Sequence, residues 1–530
     1  MLKYTKIWLC IELVILCMVS YAQNETNHWY FGTNSGVDFS SGLPIAVLGQ
    51  AGNTEGTACV SDPTTGALLF YCDGKTVWDA THIPMPNGTG LTGGYSSTMS
   101  SLIVPLPGSS TIYYLFTTDE YQNNGTGGFC YNIIDMAANG GLGDVISKNN
   151  LLFSPCSEIN HAVKHANCFD YWVISSDALG NSYKAYLLTA SGLITTPVIS
   201  SIGHSFLSPG WSTGKFSPNG KKFAMTHGRQ ETGSENYIQL FDFDILTGTL
   251  SNVLELNHWE HWYGLSFSPD NSKLYSAGNT MAAHIYQWDL SSGDNTTIKA
   301  SKTSIGWNMN FSQLQIGTDH KIYISRQLFK FISVINEPNL TGMACDFVIN
   351  AIPLIKDCQL GLPPSPENYF NESPVGMDIF EFLDTTIFYG MSSTILMPGT
   401  GNISWSPGTF LSCTNCPNPT ITPEEDIEYI VSDDLNGYGC PINRRIRIKV
   451  EYKPQIPNIF TPNSDGQNET FFINGLPPDS DLQIFNRWGN LLFQSADYKN
   501  DWKTEVDGVY YYLLKVRDQE YKGFVQVLTK

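Results

Sequence analysis

The chain has 530 residues, of which 42% are hydrophobic, 13% aromatic and only 15% charged, with 47 glycines. A formal net charge of −20 excludes nucleic acid or an anionic membrane surface as the main partner, because both require clustered Lys and Arg. The length provides for roughly two to four domains, and the Gly-rich, aromatic composition favours turn-rich β-architecture over helical bundles.

At the N-terminus, Lys3 and Lys6 precede an apolar run from Ile7 to Val19, and Ser20-Tyr21-Ala22 places small residues at a cleavage site. Residues 1–22 are read as a Sec signal peptide, with Gln23 the first mature residue. Leu16 stands before Cys17 where a lipoprotein box needs a small residue. No later apolar run is long enough to span a bilayer. Export carries the remaining cysteines through an oxidising compartment, where disulfides form. Cys59 and Cys72 flank a hairpin that turns at Pro63 to Gly66. They are expected on one face of it, opposite or one diagonal apart, as a disulfide pair.

From about 27 to 370 the sequence repeats loosely. Phe216-Ser217-Pro218-Asn219-Gly220 returns as Phe267-Ser268-Pro269-Asp270, and more weakly as Gly317-Thr318-Asp319. The intervals are 51 residues (Asn219 to Asp270) and 49 residues (Asp270 to Asp319). Between them Asp244-Ile245-Leu246-Thr247-Gly248 is echoed by Asp289-Leu290-Ser291-Ser292-Gly293. A period near 50 with two hairpins per unit fits a β-propeller blade of four short strands. Degenerate units at Ser61 to Tyr71, Ser101 to Asp119 and His161 to Gly192 bring the number of clear units to six. The opening segment, Trp29 to Leu43, is expected to lend a strand that closes the ring with the last blade. The accepted range is six to eight blades.

Within this region Gly210-Trp211-Ser212-Thr213-Gly214 matches the nucleophile-elbow pattern. That pattern needs a strand before it and a helix after it; a Gly/Pro-rich loop and a strand stand there instead. His161 and His165 would share a face on a helix. On the strand expected here they lie roughly 13 Å apart, too far for one ion. The cluster His258, Trp259, Glu260, His261, Trp262 and Tyr263 sits in a connection entering a blade. It is the candidate ligand site, open to sugar stacking or a metal, against the alternative of a packed rim.

Residues 371–452 carry Ile403-Ser404-Trp405-Ser406-Pro407, Cys413-x-x-Cys416, Gly439-Cys440 and Ile446 to Val450, the short alternating strands of an immunoglobulin-like sandwich. No second Cys/His pair completes a zinc site around Cys413 and Cys416. These pieces resemble the polycystic-kidney-disease-like spacers of gliding-associated surface proteins.

In the last segment, 454–530, β-rich runs at Leu482 to Phe485, Leu491 to Gln494, Val509 to Val516 and Phe524 to Leu528 alternate with Asn/Asp/Gly turns. Its motifs are Phe460-Thr461-Pro462-Asn463 followed by Asp465-Gly466, then Phe485-Asn486-Arg487-Trp488-Gly489, and then Asp507-Gly508 with Tyr510. Together they resemble the gliding-motility-associated C-terminal domain, the type B sorting signal of type IX secretion in Bacteroidetes-type bacteria. The resemblance implies a β-sandwich, passage through the type IX translocon, a PorP/SprF-type outer-membrane partner, and a cell-surface or extracellular location. Asn463, Asp465, Asn468 and Glu469 have the oxygen-rich look of a calcium loop but lack the acidic alternation of an EF-hand, and Asx turns explain them equally. No other cofactor is expected. The chain is therefore read as all-β, with an N-terminal propeller, an Ig-like spacer and a C-terminal sorting domain. The propeller is read as a non-enzymatic head that binds polysaccharide or a surface protein. The alternative is a secreted propeller hydrolase acting on polysaccharide or peptide, which a convergent acid pair with raised pKa would favour.

Overall fold

The computed structural model describes residues 24–206, 210–228, 236–257, 261–278, 284–307, 312–371, 379–396, 402–434 and 442–529. The signal-peptide segment, His258, Trp259, Glu260 and Cys440 lie outside the described residues. The chain divides into two compact units, one of residues 1–165 and 169–373, the other of residues 374–530 together with the short segment 166–168.

Seven antiparallel sheets succeed one another along the first unit. Blade 1 has three strands, β1 (His28–Phe31), β2 (Ser35–Asp38) and β3 (Ile45–Leu48). Blade 2 comprises β4 (Ala58–Ser61), β5 (Leu68–Cys72), β6 (Thr76–Asp79) and β7 (Pro84–Thr89), and blade 3 β8 (Ser101–Pro105), β9 (Ile112–Thr118), β10 (Phe129–Asp135) and β11 (Asp144–Phe153). Blade 4 has β12 (His161–Lys164), β13 (Tyr171–Ser176) and β14 (Ser182–Thr189), with its outer edge split between β15 (Gly192–Leu193) and β16 (Val198–Ser201). Blade 5 comprises β17 (Trp211–Phe216), β18 (Lys222–Gly228), β19 (Tyr237–Asp244) and β20 (Thr249–Asn257). Blade 6 comprises β21 (Trp262–Phe267), β22 (Lys273–Gly278), β23 (His284–Asp289) and β24 (Thr303–Trp307). Blade 7 comprises β25 (Leu314–Ile316), β26 (Ile322–Ile324), β27 (Phe331–Ile335) and β28 (Phe347–Pro353).

The first strands of successive blades, β1, β4, β8, β12, β17, β21 and β25, neighbour one another, so the sheets radiate from a common axis as a β-propeller. Between blades the cores are wedges of large side chains. Phe216, Phe223, Phe241 and Trp172 fill the one between blades 4 and 5, and Trp262, Trp288 and Leu265 the next. The repeated turn residues act as predicted. Asn219 Oδ1 accepts the Lys221 N–H at 3.0 Å, and Asp270 Oδ1 accepts the Ser272 N–H at 2.9 Å. Each is an Asx turn that reverses the chain between inner strands. In blade 6 the outer Asp289 to Gly293 turn leads instead into a short helix, α1 (Asn295–Ala300), capped by Asp294.

The opening segment does not lend a strand to the last blade, because blade 7 already holds four of its own; it builds blade 1. Closure comes from the segment that follows β28 and turns back across the seam. There the Thr33 N–H donates to Asp357 O at 3.1 Å, the Leu328 N–H to Cys358 O at 2.9 Å, and the Leu360 N–H to Thr54 O at 3.0 Å. Trp29 meets Tyr323 edge to face at 5.6 Å, sealing blade 1 on blade 7.

Cys59 and Cys72 are not bonded to each other. A register shift between Val60 and Ser61 sets Cys59 opposite Tyr71 and Cys72 opposite Ala58, so the two side chains point to opposite faces. Both are free and buried, Cys59 against Tyr30 and Tyr71, Cys72 against Phe70 and Val77.

In the second unit, β29 (Ile379–Phe388), β34 (Ile442–Glu451), β33 (Ile427–Asp434) and β31 (Asn402–Ser406) form one sheet in that order. β30 (Ser393–Thr394) pairs with β32 (Thr420–Ile421). Their core holds Trp405 across Tyr429, and the Trp405 indole N–H donates to Cys416 O at 2.9 Å. Cys413 and Cys416 are joined by a disulfide, which removes both thiolates from metal binding. The last sheet runs β35 (Ile459–Phe460), β39 (Gln519–Val527), β38 (Gly508–Val516), β36 (Asp481–Phe485) and β37 (Leu491–Ser495). One face of it is covered by Phe471, Ile473, Tyr498 and Trp502. Among the described residues no helix is long and apolar enough to cross a membrane.

Candidate functional site

Seven inner strands leave an axial channel lined by the side chains that alternate away from the blade wedges. The segments leading into β4, β8 and β12 place Glu55, Thr98 and Glu158 at one equivalent position, three residues ahead of each strand. Glu158 Oε2 accepts the Thr98 N–H at 3.1 Å and also the Thr98 hydroxyl, and Oε1 accepts the Tyr121 N–H at 2.9 Å. The Glu158 N–H donates to Ser212 Oγ at 3.3 Å. One carboxyl group thus ties blade 3 to blade 4, and its own backbone ties blade 4 to blade 5.

Glu55 is held more lightly, with the Ser96 hydroxyl donating to Oε1 at 3.4 Å and the Tyr263 hydroxyl beside it. Tyr263, on β21, also meets Thr98. The returning segment packs directly under this corner: a Cβ on Gly361 would lie 1.9 Å from the Glu55 carbonyl oxygen. Glu55 is 7% exposed and Glu158 1%. Burial, followed by the neighbouring Glu158 charge, pushes the Glu55 carboxyl well above the usual carboxylate range. Burial pushes Glu158 up to about 7, against the opposing pull of its Thr98, Tyr121 and Ser212 hydrogen bonds. Both carboxyls thus hold their protons to higher pH than an exposed carboxyl does. Tyr95, Ser96, Glu120, Tyr121 and Gln122 stand around it with partial or full exposure, and Glu120 accepts the Ser96 N–H at 3.0 Å.

A second cluster gathers around the first residue of β12, His161, three residues on from Glu158. Glu367 reaches it from a 3₁₀ turn (Glu367–Phe370) at the end of the returning segment. Its carboxylate lies 3.3 Å from His161 Nε2 and 3.8 Å from Lys215 Nζ, and Lys215 also donates to Gln315. His161 Nδ1 accepts the Phe216 N–H at 3.3 Å, which assigns the ring proton to Nε2, facing Glu367. Burial depresses both His161 and Lys215, with Glu367 opposing. These three side chains are fully buried.

The sequence-predicted residues distribute differently. Of the His258 to Trp262 cluster, His261 is half-buried at the start of blade 6. Trp262 is fully buried, edge-on to Trp288 at 5.7 Å and capped by Lys302 at 5.0 Å. It is therefore wedge core and presents no face to a ligand. Its neighbour Tyr263 points the other way and joins the acid pair. Ser212 lies in strand β17 with no helix behind it. His161 belongs to the channel cluster, whereas His165 meets Leu246 O at 3.1 Å. Sequence reading missed Glu55, Glu158 and Glu367. The available signal was the recurrence of Thr54-Glu55 and Ser157-Glu158 at one distance from an inner strand.

In the last domain, Asn463 Oδ1 accepts the Asp465 N–H, Asp465 Oδ1 the Gln467 N–H and Glu469 Oε1 the Gly466 N–H, at 2.8–3.1 Å. One side-chain oxygen each of Asn463, Asp465 and Glu469 thus caps their own loop, with Thr461 and Pro462 leading in from buried Phe460. Asn486 Oδ1 caps the Trp488 and Asn490 N–H groups of the β36–β37 turn at Gly489. Arg487 stacks on Trp488 at 4.8 Å, and Trp488 is 73% exposed. Phe485 sits at the end of β36 beside this turn. Asp507 accepts the Thr529 N–H at 2.7 Å, and the Tyr510 hydroxyl, beyond Gly508, donates to Val506 O at 3.0 Å.

Residues 454–527 match the CHU_C type IX secretion signal domain. That domain is a type IX export address, so the chain is handled by the type IX system and delivered to the cell surface or the extracellular space. No curated protein sequence matches the chain. Among solved structures it is similar to a putative 6-phosphogluconolactonase from Bacteroides uniformis, at 12% identity and a TM-score of 0.36, covering 62% of this chain and 96% of that one. It is also similar to Hsv2 of Kluyveromyces lactis, at 9% identity and a TM-score of 0.33, covering 59% and 90%. Likeness this weak bears on neither activity nor ligand.

Proposed function

We propose that the protein is a surface-displayed type IX cargo whose propeller is a non-enzymatic binding head. In this reading the Ig-like domain is a spacer, and a PorP/SprF-type outer-membrane protein holds the C-terminal domain at the surface. The ligand is polysaccharide or a surface protein, taken at the channel mouth around Tyr95, Glu120, Tyr121 and Gln122. The observation that supports binding over turnover is the engagement of Glu158. Its two oxygens accept three hydrogen bonds from blade 3, and at 1% exposure it serves as a staple between blades. A general base needs a free lone pair within hydrogen-bond reach of substrate.

One observation favours the hydrolase as a second reading: Glu55 is a carboxyl pushed well above its ordinary range by burial and by a neighbouring carboxyl, the direction a general acid needs. Incubating the purified propeller with a panel of bacterial and plant polysaccharides separates the two. Saturable retention without new reducing ends is the expected result. Turnover that is lost in Glu55→Gln would overturn the binding reading.

A further inference from the structure

Every blade but the first carries an outer strand beyond its third. Blade 1 stops at β3: among the described residues no strand pairs with its outer edge, and Ile45 and Leu48 on it, with Leu43 just before, are 52%, 47% and 72% exposed. Natural sheets blunt such edges with short strands, charge, proline or bulges, because an unpaired row of N–H and C=O groups recruits another strand; β3, at four residues, has only the first of these. The other blades follow that rule. The outermost ladders of blades 2, 3, 5, 6 and 7 each break at a register shift. In blade 4 the edge is split into two short strands, and β16 packs on β20.

The β2–β3 ladder runs without a shift from Ser35↔Leu48 to Asp38↔Ile45. In a chain of net charge −20, no charged residue occurs between Asp38 and Glu55. The Gly49 N–H donates to Asn34 O at 3.2 Å, and antiparallel alternation then turns the N–H and C=O groups of Ala46 and Leu48 outward. Pro44 guards only the residue before the strand.

We infer that β3 pairs edge to edge with β3 of a second copy of this chain, joining two three-stranded blades into one six-stranded sheet. The strand is its own complement. In an antiparallel pair about a two-fold axis, Ala46 of each copy exchanges both hydrogen bonds with Leu48 of the other, and the two Val47 residues face each other on the axis in a non-hydrogen-bonded pair. Neutrality lets two acidic molecules approach there without local repulsion, and the half-exposed Ile45 and Leu48 side chains of both copies cover the seam.

Sedimentation of the chain from Gln23 onward, across a concentration series, tests this. A concentration-dependent dimer is expected. The double variant Ile45→Lys/Leu48→Lys, altered only at half-exposed positions, is expected to weaken dimerisation by about tenfold or more with an unchanged thermal melt. As a second readout, Val47→Cys is expected to give a covalent dimer under mild oxidation, because facing residues of such a pair lie about 4.5 Å apart at Cα, within disulfide reach. The exposed Ser41→Cys is expected to give none. A wild-type chain that stays monomeric throughout overturns the inference, as does a dimer indifferent to the lysines or equal cross-linking at both cysteine positions.

Discussion

Glu55 and Glu158 store a pH dependence in the propeller. Both titrate above their ordinary value near 4.5 in the folded chain. Between there and about pH 7 the folded state binds more protons than the unfolded one, so stability falls as pH rises through that window. His161 acts in the opposite sense: its depressed pKa makes protonation cost stability as pH falls below its ordinary 6.5. Comparing wild type with Glu55→Gln isolates the carboxyl pair. The variant, freed of one carboxyl and its repulsion on Glu158, is expected to gain on the order of 2 kcal/mol on the wild type between pH 5 and pH 8. Chemical denaturation at the two pH values checks it, and a difference that does not change with pH would mean the two carboxyls are uncoupled. None of this was legible from local motifs. Thr54-Glu55 and Ser157-Glu158 are ordinary loop dipeptides until two blades are aligned on their inner strands. Glu367 carries no signal at all, because its partners His161 and Lys215 are more than 150 positions away.

Elements were more legible than residues, for a physical reason. Period-2 alternation and Asx turns are local, so Asn219, Asp244 and Asp270 marked hairpins that the structure contains. The expected runs Leu482 to Phe485 and Val509 to Val516 lie within β36 and β38. A bulge has no such signature. The shift at Val60/Ser61 turned an apparent cysteine pair into residues on opposite faces. In the same way, alternation decides which member of Trp262-Tyr263 faces the channel, and a one-residue error reverses the answer. Trp262, at 0% exposure in the wedge between blades 5 and 6, is therefore a stability residue. Trp262→Ala is expected to cost about 3–5 kcal/mol through the cavity it leaves, as urea denaturation of the isolated propeller would record. A cost below about 1 kcal/mol would show that the wedge collapses around the gap.

For the whole molecule, the C-terminal domain decides destination. Removing 454–530 is expected to leave the chain in the periplasm, detectable by fractionation and by loss of surface labelling on intact cells; undiminished surface display would contradict the assignment. Ring size was within the expected range, but the manner of closure was not. The expectation that Trp29 to Leu43 would complete the last blade follows a common economy of propellers, and this chain instead spends those residues on a short blade of its own. The seam is then sewn by residues 356–367, a stretch without strands that the sequence places inside the propeller but gives no role there. Where the head ends is thus a matter of carpentry as well as of strand assignment. A cut placed after β28 would leave a complete set of staves without the hoop, and the propeller domain extends to the turn at Glu367–Phe370.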